Sequence, residues 1–239
     1  MKTSPRLSRK PDTEFHNANR TAASQGIAWK ALGVALVLSA SACRAGAQEP
    51  DNFTAPNTLT KKEKAEGWKL LFDGKTDRGW QRGSQADWKV EGGILSVRSG
   101  EPGLFYTEKK YGDFVLRLEF RAPKSTNSGV FLRTVPKPTD PTQNCYELNI
   151  APAENPFPTG SLVARKKAEP VTAGKGWHTL EARLEKGKFT IRYDGKRVLE
   201  YEDPAPLKEG HIGLQLNQGP IEFRSIKLRP LPSVPVASP

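Results

Sequence analysis

Phe114-Val-Leu-Arg-Leu-Glu-Phe-Arg121 decides the fold class. A period of two puts Phe114, Leu116, Leu118 and Phe120 on one face of an extended strand. Val115, Arg117, Glu119 and Arg121 fall on the other face. Downstream the same alternation returns in Leu180, Ala182 and Leu184, then in Phe189, Ile191 and Tyr193. Between and after these runs stand Lys186-Gly187 and Asp194-Gly195, the Xaa-Gly pairs of tight hairpins. Ile212, Leu214 and Leu216 alternate with Gly213, Gln215 and Asn217. Ile221 and Phe223 have odd parity and Ile226 and Leu228 even, so a bulge is expected near Ser225. One short helix is expected at 60–66, where Thr60-Lys-Lys-Glu63 forms a capping box and Gly67 can end the turn. Ten to twelve strands with short turns result, and no helices long enough for parallel crossovers. The predicted architecture is all-β: an antiparallel β-sandwich or jelly roll with one short N-terminal helix.

Further outward, the chain changes character. A basic stretch over 1–30 precedes the apolar run Ala31-Leu-Gly-Val-Ala-Leu-Val-Leu38 and then small residues through Ala47. That order is a secretory signal, and the run is too short to span a bilayer comfortably. Two cleavage readings compete. Ala45-Gly46-Ala47 would release a soluble protein at Gln48, whereas Ala40-Ser41-Ala42-Cys43 loosely follows a lipobox and would put a lipid anchor on Cys43. Export to the periplasm or medium is expected either way, with membrane attachment only through Cys43. Residues 48–59 read as a linker, 60–231 as the jelly-roll domain and 232–239 as a Pro-rich tail, with disorder or extension expected from Pro230 onward.

Among 239 residues, 37 Lys and Arg outweigh 26 Asp and Glu, a charge of +11. Residues 1–47 carry seven of those cations and two of the anions. Removing them leaves 30 basic against 24 acidic residues, or +6. With no basic-aromatic stripe, this charge does not indicate a nucleic-acid partner. If cleavage follows Ala47, Cys145 is the single remaining thiol, so no internal disulfide can form.

The polar faces of three strands carry the candidate chemistry. Gly129, Phe131 and Arg133 share one face, Glu147 and Asn149 another, and Gln215 and Asn217 a third. Carboxylate, amide and guanidinium groups suit adjacent sugar hydroxyls. Trp80, Trp88 and Trp177 could add stacking platforms. Alternation alone cannot distinguish such a binding face from an ordinary solvated one. His178 and His211 stand at strand starts, where a lone histidine is usually structural. Tyr146-Glu-Leu-Asn-Ile150 keeps only the first carboxylate of the Glu-x-Asp-x-x-Glu pattern of retaining jelly-roll glucanases, which argues against two-carboxylate hydrolysis.

Several stretches together resemble the bacterial 3-keto-disaccharide hydrolase family. They are Glu66-Gly-Trp-Lys-Leu-Leu-Phe-Asp-Gly-Lys75 with Trp80, Tyr111-Gly-Asp-Phe114 leading into the opening strand, and Asn127-Ser-Gly-Val-Phe-Leu-Arg133. Tyr146-Glu147, Thr159-Gly160, Gly210-His-Ile-Gly-Leu-Gln215 and Ile221-Glu-Phe-Arg-Ser-Ile-Lys-Leu228 complete the set. The resemblance spans roughly residues 58–231. It implies a concanavalin A-like jelly roll and an exported enzyme acting on 3-keto-glycosides, with Arg133 and Glu147 at site positions. One departure is plain. Relatives often carry Gln-Asp-His-Gly where this chain has Gln215-Leu-Asn-Gln-Gly219.

The substrate class implied by that resemblance sets the expected chemistry. A ketone at C3 acidifies the C2 proton, and a base that removes it lets the C1 group leave by elimination. Water addition completes hydrolysis. Glu147 is the expected base and Arg133 the expected oxyanion partner, with Asn127, Asn149, Gln215 and Asn217 binding substrate. A divalent metal could take the oxyanion role, with Glu147, Asn149 and Gln215 as its oxygen donors. The competing readings are a non-catalytic carbohydrate-binding module and a cell-envelope interaction protein that uses the tail as a spacer.

Overall fold

A computed structural model describes residues 55–172 and 174–232. The leader, both cleavage readings, Cys43 and residues 233–239 lie outside the described residues. Among the described residues no helix is long and apolar enough to cross a membrane.

One helix, Lys61–Ala65 (α1), opens the domain. Thr60 caps it by accepting from the Glu63 amide at 3.0 Å, and the Glu63 carboxylate accepts from the Thr60 amide at 3.0 Å. Thirteen strands follow among the described residues. The first five are Lys69–Leu70 (β1), Trp80–Arg82 (β2), Lys89–Glu91 (β3), Ile94–Val97 (β4) and Gly103–Thr107 (β5). Next come Phe114–Arg121 (β6), Ser128–Thr134 (β7), Tyr146–Ile150 (β8) and His178–Glu185 (β9). The last are Lys188–Tyr193 (β10), Lys196–Glu202 (β11), His211–Leu216 (β12) and Ile221–Pro230 (β13).

The strands form two antiparallel sheets. One runs β11-β10-β9-β6-β13-β4-β3, with β1 also paired to β13; the other runs β2-β5-β12-β7-β8. The hairpins at Lys186-Gly187 and Asp194-Gly195 form as expected, with φ of 47° and 81° in the first and 46° and 78° in the second. Those mirror-image turns match the right-handed twist of the flanking strands. The expected all-β sandwich is therefore the observed fold.

The core lies between the sheets. Phe114, Leu116, Leu118 and Phe120 of β6 are buried there with Val130, Leu132, Tyr146, Leu148, Ile212 and Leu214 of the opposing sheet. The outer face of the larger sheet is wet and charged. Arg117 stands opposite Glu181, Glu222 opposite Arg121, and Arg224 opposite Glu119. Each pair closes to 2.6 Å, as cross-strand partners of opposite charge should.

The expected tryptophan platforms need correction. Trp80 and Trp88 are not stacking platforms: both are buried, and both stack on Phe105, at 5.3 and 5.1 Å. Trp177 is covered by Arg121 and Arg224, whose guanidinium carbons stand 4.8 and 4.2 Å from its ring. At Pro230 the chain is extended, one of the two expected states: Pro230 pairs with Phe114, and the Leu231 amide donates to the Asp113 carbonyl at 2.9 Å. The bulge near Ser225 does form, with φ of 52° there and a register shift between Arg224 and Lys227. Asn57, expected in a linker, fills it: its Oδ1 accepts from the Ser225 amide at 2.8 Å and its Nδ2 donates to the Gly93 carbonyl at 2.8 Å.

Candidate active site

Every residue of β7 is buried, although only alternate ones face the core. The outer face of the five-stranded sheet is therefore covered, and this distinguishes it from the charged outer face opposite. Leu104, Phe131 and Cys145 form a second apolar cluster there, with Tyr106 against it. Gly213 makes room for this floor. A Cβ at that position would come 3.1 Å from Leu104 Cδ1 and 3.2 Å from Phe131 Cβ. Above the floor opens a cavity of about 430 Å³, walled by segments 83–84, 101–104 and 136–141 and holding Glu147 and Gln215.

Glu147 sits on β8 directly across from Phe131, and Gly129 sits across from Asn149. Leu214 pairs with Val130, which brings Gln215 alongside Gly129. Gln215 and Glu147 thus lie on either side of β7, and Gly129 leaves the space between them open. A Cβ on Gly129 would meet Glu147 Cγ at 3.3 Å and Oε1 at 3.4 Å. Burial pushes the Glu147 carboxyl up to about 7, and the Gln215 side chain offsets part of that rise. Gln215 Oε1 is buried without a partner. The backbone at Gln215 is fixed by Ser128, whose hydroxyl donates to the Gln215 carbonyl at 2.7 Å. The backbone at Glu147 is fixed on its other side, where the Val163 amide donates to its carbonyl at 3.0 Å.

The expectation that Arg133 stands beside Glu147 is not met. Arg133 has φ of 49°, and the β7–β12 register shifts between His211 and Gly213. This bulge turns the side chain off the Glu147 face. The guanidinium donates to the Gly112 carbonyl at 2.9 Å, the Leu207 carbonyl at 2.5 Å and Asp113 Oδ1 at 2.6 Å. Gly210 permits the turn, since a Cβ there would fall 2.2 Å from the Arg133 carbonyl carbon.

The remaining expected residues separate. Asn149 is 3% exposed and does not line the cavity; its Nδ2 donates to the Phe157 carbonyl, and its Oδ1 is buried without a partner. Asn127 and Gln218 bridge through their backbones at the sheet end, and Asn217 is exposed beside them. Of the three oxygen donors considered for a metal, only Glu147 and Gln215 line the cavity. Among the described residues no group of three or more His, Cys, Asp or Glu could hold an ion. His178 bonds Asp194 at 2.8 Å and lines a different cleft, and His211 Nδ1 bonds the Thr107 carbonyl at 2.6 Å. Burial and the nearby Glu147 charge push the Cys145 thiol up to about 12, which keeps it protonated. Sequence reasoning missed the 136–141 wall, whose signal was the run Pro136-Lys-Pro-Thr-Asp-Pro141.

Two other clefts are of similar size. One of about 480 Å³ is rimmed by the exposed charges of Arg98, Arg121, Lys124 and Lys175 beside Glu222. One of about 430 Å³ opens at the sandwich end near Phe120 and Ile150.

Comparison with known proteins places this arrangement. A family model described as the 3-keto-alpha-glucoside-1,2-lyase-like domain matches residues 67–229, which include both Glu147 and Gln215. The chain belongs to that family. Two crystal structures of proteins from Parabacteroides distasonis ATCC 8503, each called a "putative glycosyl hydrolase", share its fold. The first has a TM-score of 0.66 at 20% identity, covering 74% of this chain and 100% of the other. The second has a TM-score of 0.56 at 25% identity, covering 69% and 99%. No curated protein matches. The family model gives the domain its membership, and the neighbours share its fold.

Proposed function

We propose that the protein cleaves the glycosidic bond of 3-keto-glycosides by elimination, with Glu147 as the base. The observation that carries this is the Glu147 carboxyl, pushed to about 7, on the floor of a cavity of about 430 Å³ whose walls also carry Glu101 and Asp140. A base with that affinity is divided between its two forms at neutral pH, so it can take a proton and return it.

The C3 ketone makes the C2 proton acidic. The Glu147 carboxylate removes it, and the C2–H electrons move into a C2–C3 double bond with charge on the ketone oxygen. The carbonyl then re-forms, a C1–C2 double bond appears and the C1–O bond breaks. The departing oxygen takes the proton held on Glu147. Water adding across C1–C2, hydroxyl to C1 and hydrogen to C2, turns this elimination into net hydrolysis. Lys137 lines the cavity and is the cation available to the developing oxyanion. Export to the periplasm or medium belongs to the same proposal, on the strength of the basic, apolar, small order of residues 1–47.

A non-catalytic sugar-binding domain is the second reading. It is favoured by Arg133 being engaged with Asp113 and two carbonyls, away from the carboxyl. One experiment decides between them. The purified chain is incubated with an aryl 3-keto-glucoside in deuterated water, with and without EDTA and added divalent ions. Aglycone release above the buffer blank, with deuterium entering C2 of the hydrated product, supports elimination followed by hydration. Saturable binding without release supports the binding domain, and the EDTA arm reports any metal requirement.

A further inference from the structure

The wall over Glu147 is a nearly self-contained flap. Val135 and Asn144 close its base, with the Val135 amide donating to the Asn144 carbonyl at 3.1 Å. Within it, Asp140 Oδ1 accepts from the Thr142 amide at 2.7 Å and the Asn144 Oδ1 accepts from the Thr139 amide at 3.2 Å. Pro136, Pro138 and Pro141 stiffen it, so it would move as a piece. Among the described residues, two hydrogen bonds tie segment 136–144 to anything beyond its own hinge: Arg165 Nη2 donates to the Thr142 carbonyl at 2.8 Å, and the adjacent Cys145 Sγ donates weakly to the Asp140 carbonyl at 4.0 Å.

Arg165 is itself well held. Leu162 and Lys166 close a tight turn through Ala164, whose φ of 58° throws Arg165 back over the sheet. Its Nη1 pairs with Asp203 Oδ2 at 3.0 Å, and its guanidinium lies 4.4 Å from the Tyr146 ring centre. Tyr146 immediately precedes Glu147, and its hydroxyl donates to the same Asp203 oxygen at 2.7 Å. The base strand and the flap are thus fixed to one guanidinium. A planar fork can serve a carboxylate, a carbonyl and a ring face together, which a lysine ammonium cannot.

We propose that Arg165 is the positioning residue of the site, holding the 136–144 flap closed over Glu147. The functional half of this rests on the reading of the cavity as the substrate site; the structural half does not. Cys145 reports on the structural half. It is 1% exposed, lines the cavity and points its Sγ at the Asp140 carbonyl of the flap at 4.0 Å.

The test is R165K, made in the full chain with Cys43→Ser so that Cys145 is the sole thiol. Lysine keeps a cation for Asp203 and loses the bond to Thr142. Loss of a charged hydrogen bond corresponds to about a tenfold change or more. The Cys145 reaction with a small aromatic disulfide reagent is therefore expected to speed up about tenfold, with a rate insensitive to low urea, as local opening requires. KM for the 3-keto-glucoside is expected to rise by a similar factor with kcat little changed. The midpoint of the pH profile should fall below that of the parent as water reaches Glu147. Unchanged thiol reactivity would overturn the proposal, as would reactivity that climbs steeply with urea, because the variant would then be unfolding globally. If the parent shows no turnover, the functional reading fails while the thiol measurement still decides what Arg165 holds.

Discussion

Gln215 on β12 and Glu147 on β8 flank Gly129 of β7, and the Gln215 side chain holds the Glu147 carboxyl below where burial alone would put it. This influence favours the ionised form, against a burial effect that favours the neutral one. The balance leaves Glu147 near 7, up from the usual 4.5. Because the base must be ionised to act, kcat/KM should rise with pH through a midpoint at about 7. Replacing Gln215 with Leu removes the only influence that lowers this pKa, so the midpoint should move upward. A pH profile of each protein checks the direction.

Gly129 is a specific requirement of the same arrangement. Alanine there would press on Glu147 Cγ and Oε1 at 3.3 and 3.4 Å. The carboxyl is the softer neighbour, since the Leu148 carbonyl also stands 3.3 Å away and belongs to the sheet. G129A should cost about tenfold or more in kcat, because small misplacements of a reacting group are expensive, while the melting temperature shifts little. Steady-state kinetics beside a thermal melt provides the comparison.

Arg133 makes the opposite prediction. Its side chain is 2% exposed and bound to Asp113 and to two carbonyls, none of them in the cavity. R133M would leave two carbonyl acceptors without their donor and the half-buried Asp113 with only the Lys186 amide, at a cost of about 1–3 kcal/mol. Urea unfolding should register that loss, and the molecules that remain folded should keep the parent kcat.

The contrast between Arg133 and Glu147 shows what the sequence makes legible. Strict alternation placed Glu147 and Gln215 correctly, because β8 and β12 keep their period up to those residues. β7 does not: a non-glycine residue at positive φ has no sequence mark, and one such residue rotated Arg133 off its face. The hairpins at 186–187 and 194–195 and the bulge near Ser225 were legible because turn chemistry and parity record them directly. Asn57 was not, since its partners Gly93 and Ser225 lie 36 and 168 residues away. Nor could alternation tell which outer face was covered. That depends on the proline-rich flap, and on Arg165 holding it, and both are facts of tertiary contact.

The central claim is that the Glu147 carboxylate takes the C2 proton, and E147Q tests it most directly. Glutamine keeps the shape and removes the base. It also removes a group whose folded pKa of about 7 lies above its usual 4.5. In that window the folded state holds a proton that the unfolded chain releases, so parent stability falls as pH rises from 4.5 toward 7. E147Q should therefore melt no lower than the parent at pH 7.5. The measurement is the rate of aglycone release from an aryl 3-keto-glucoside by E147Q and parent at pH 7.5. The account predicts a loss of about a hundredfold or more in kcat with the fold intact. Release at the parent rate by folded E147Q would contradict it and remove Glu147 from the chemistry.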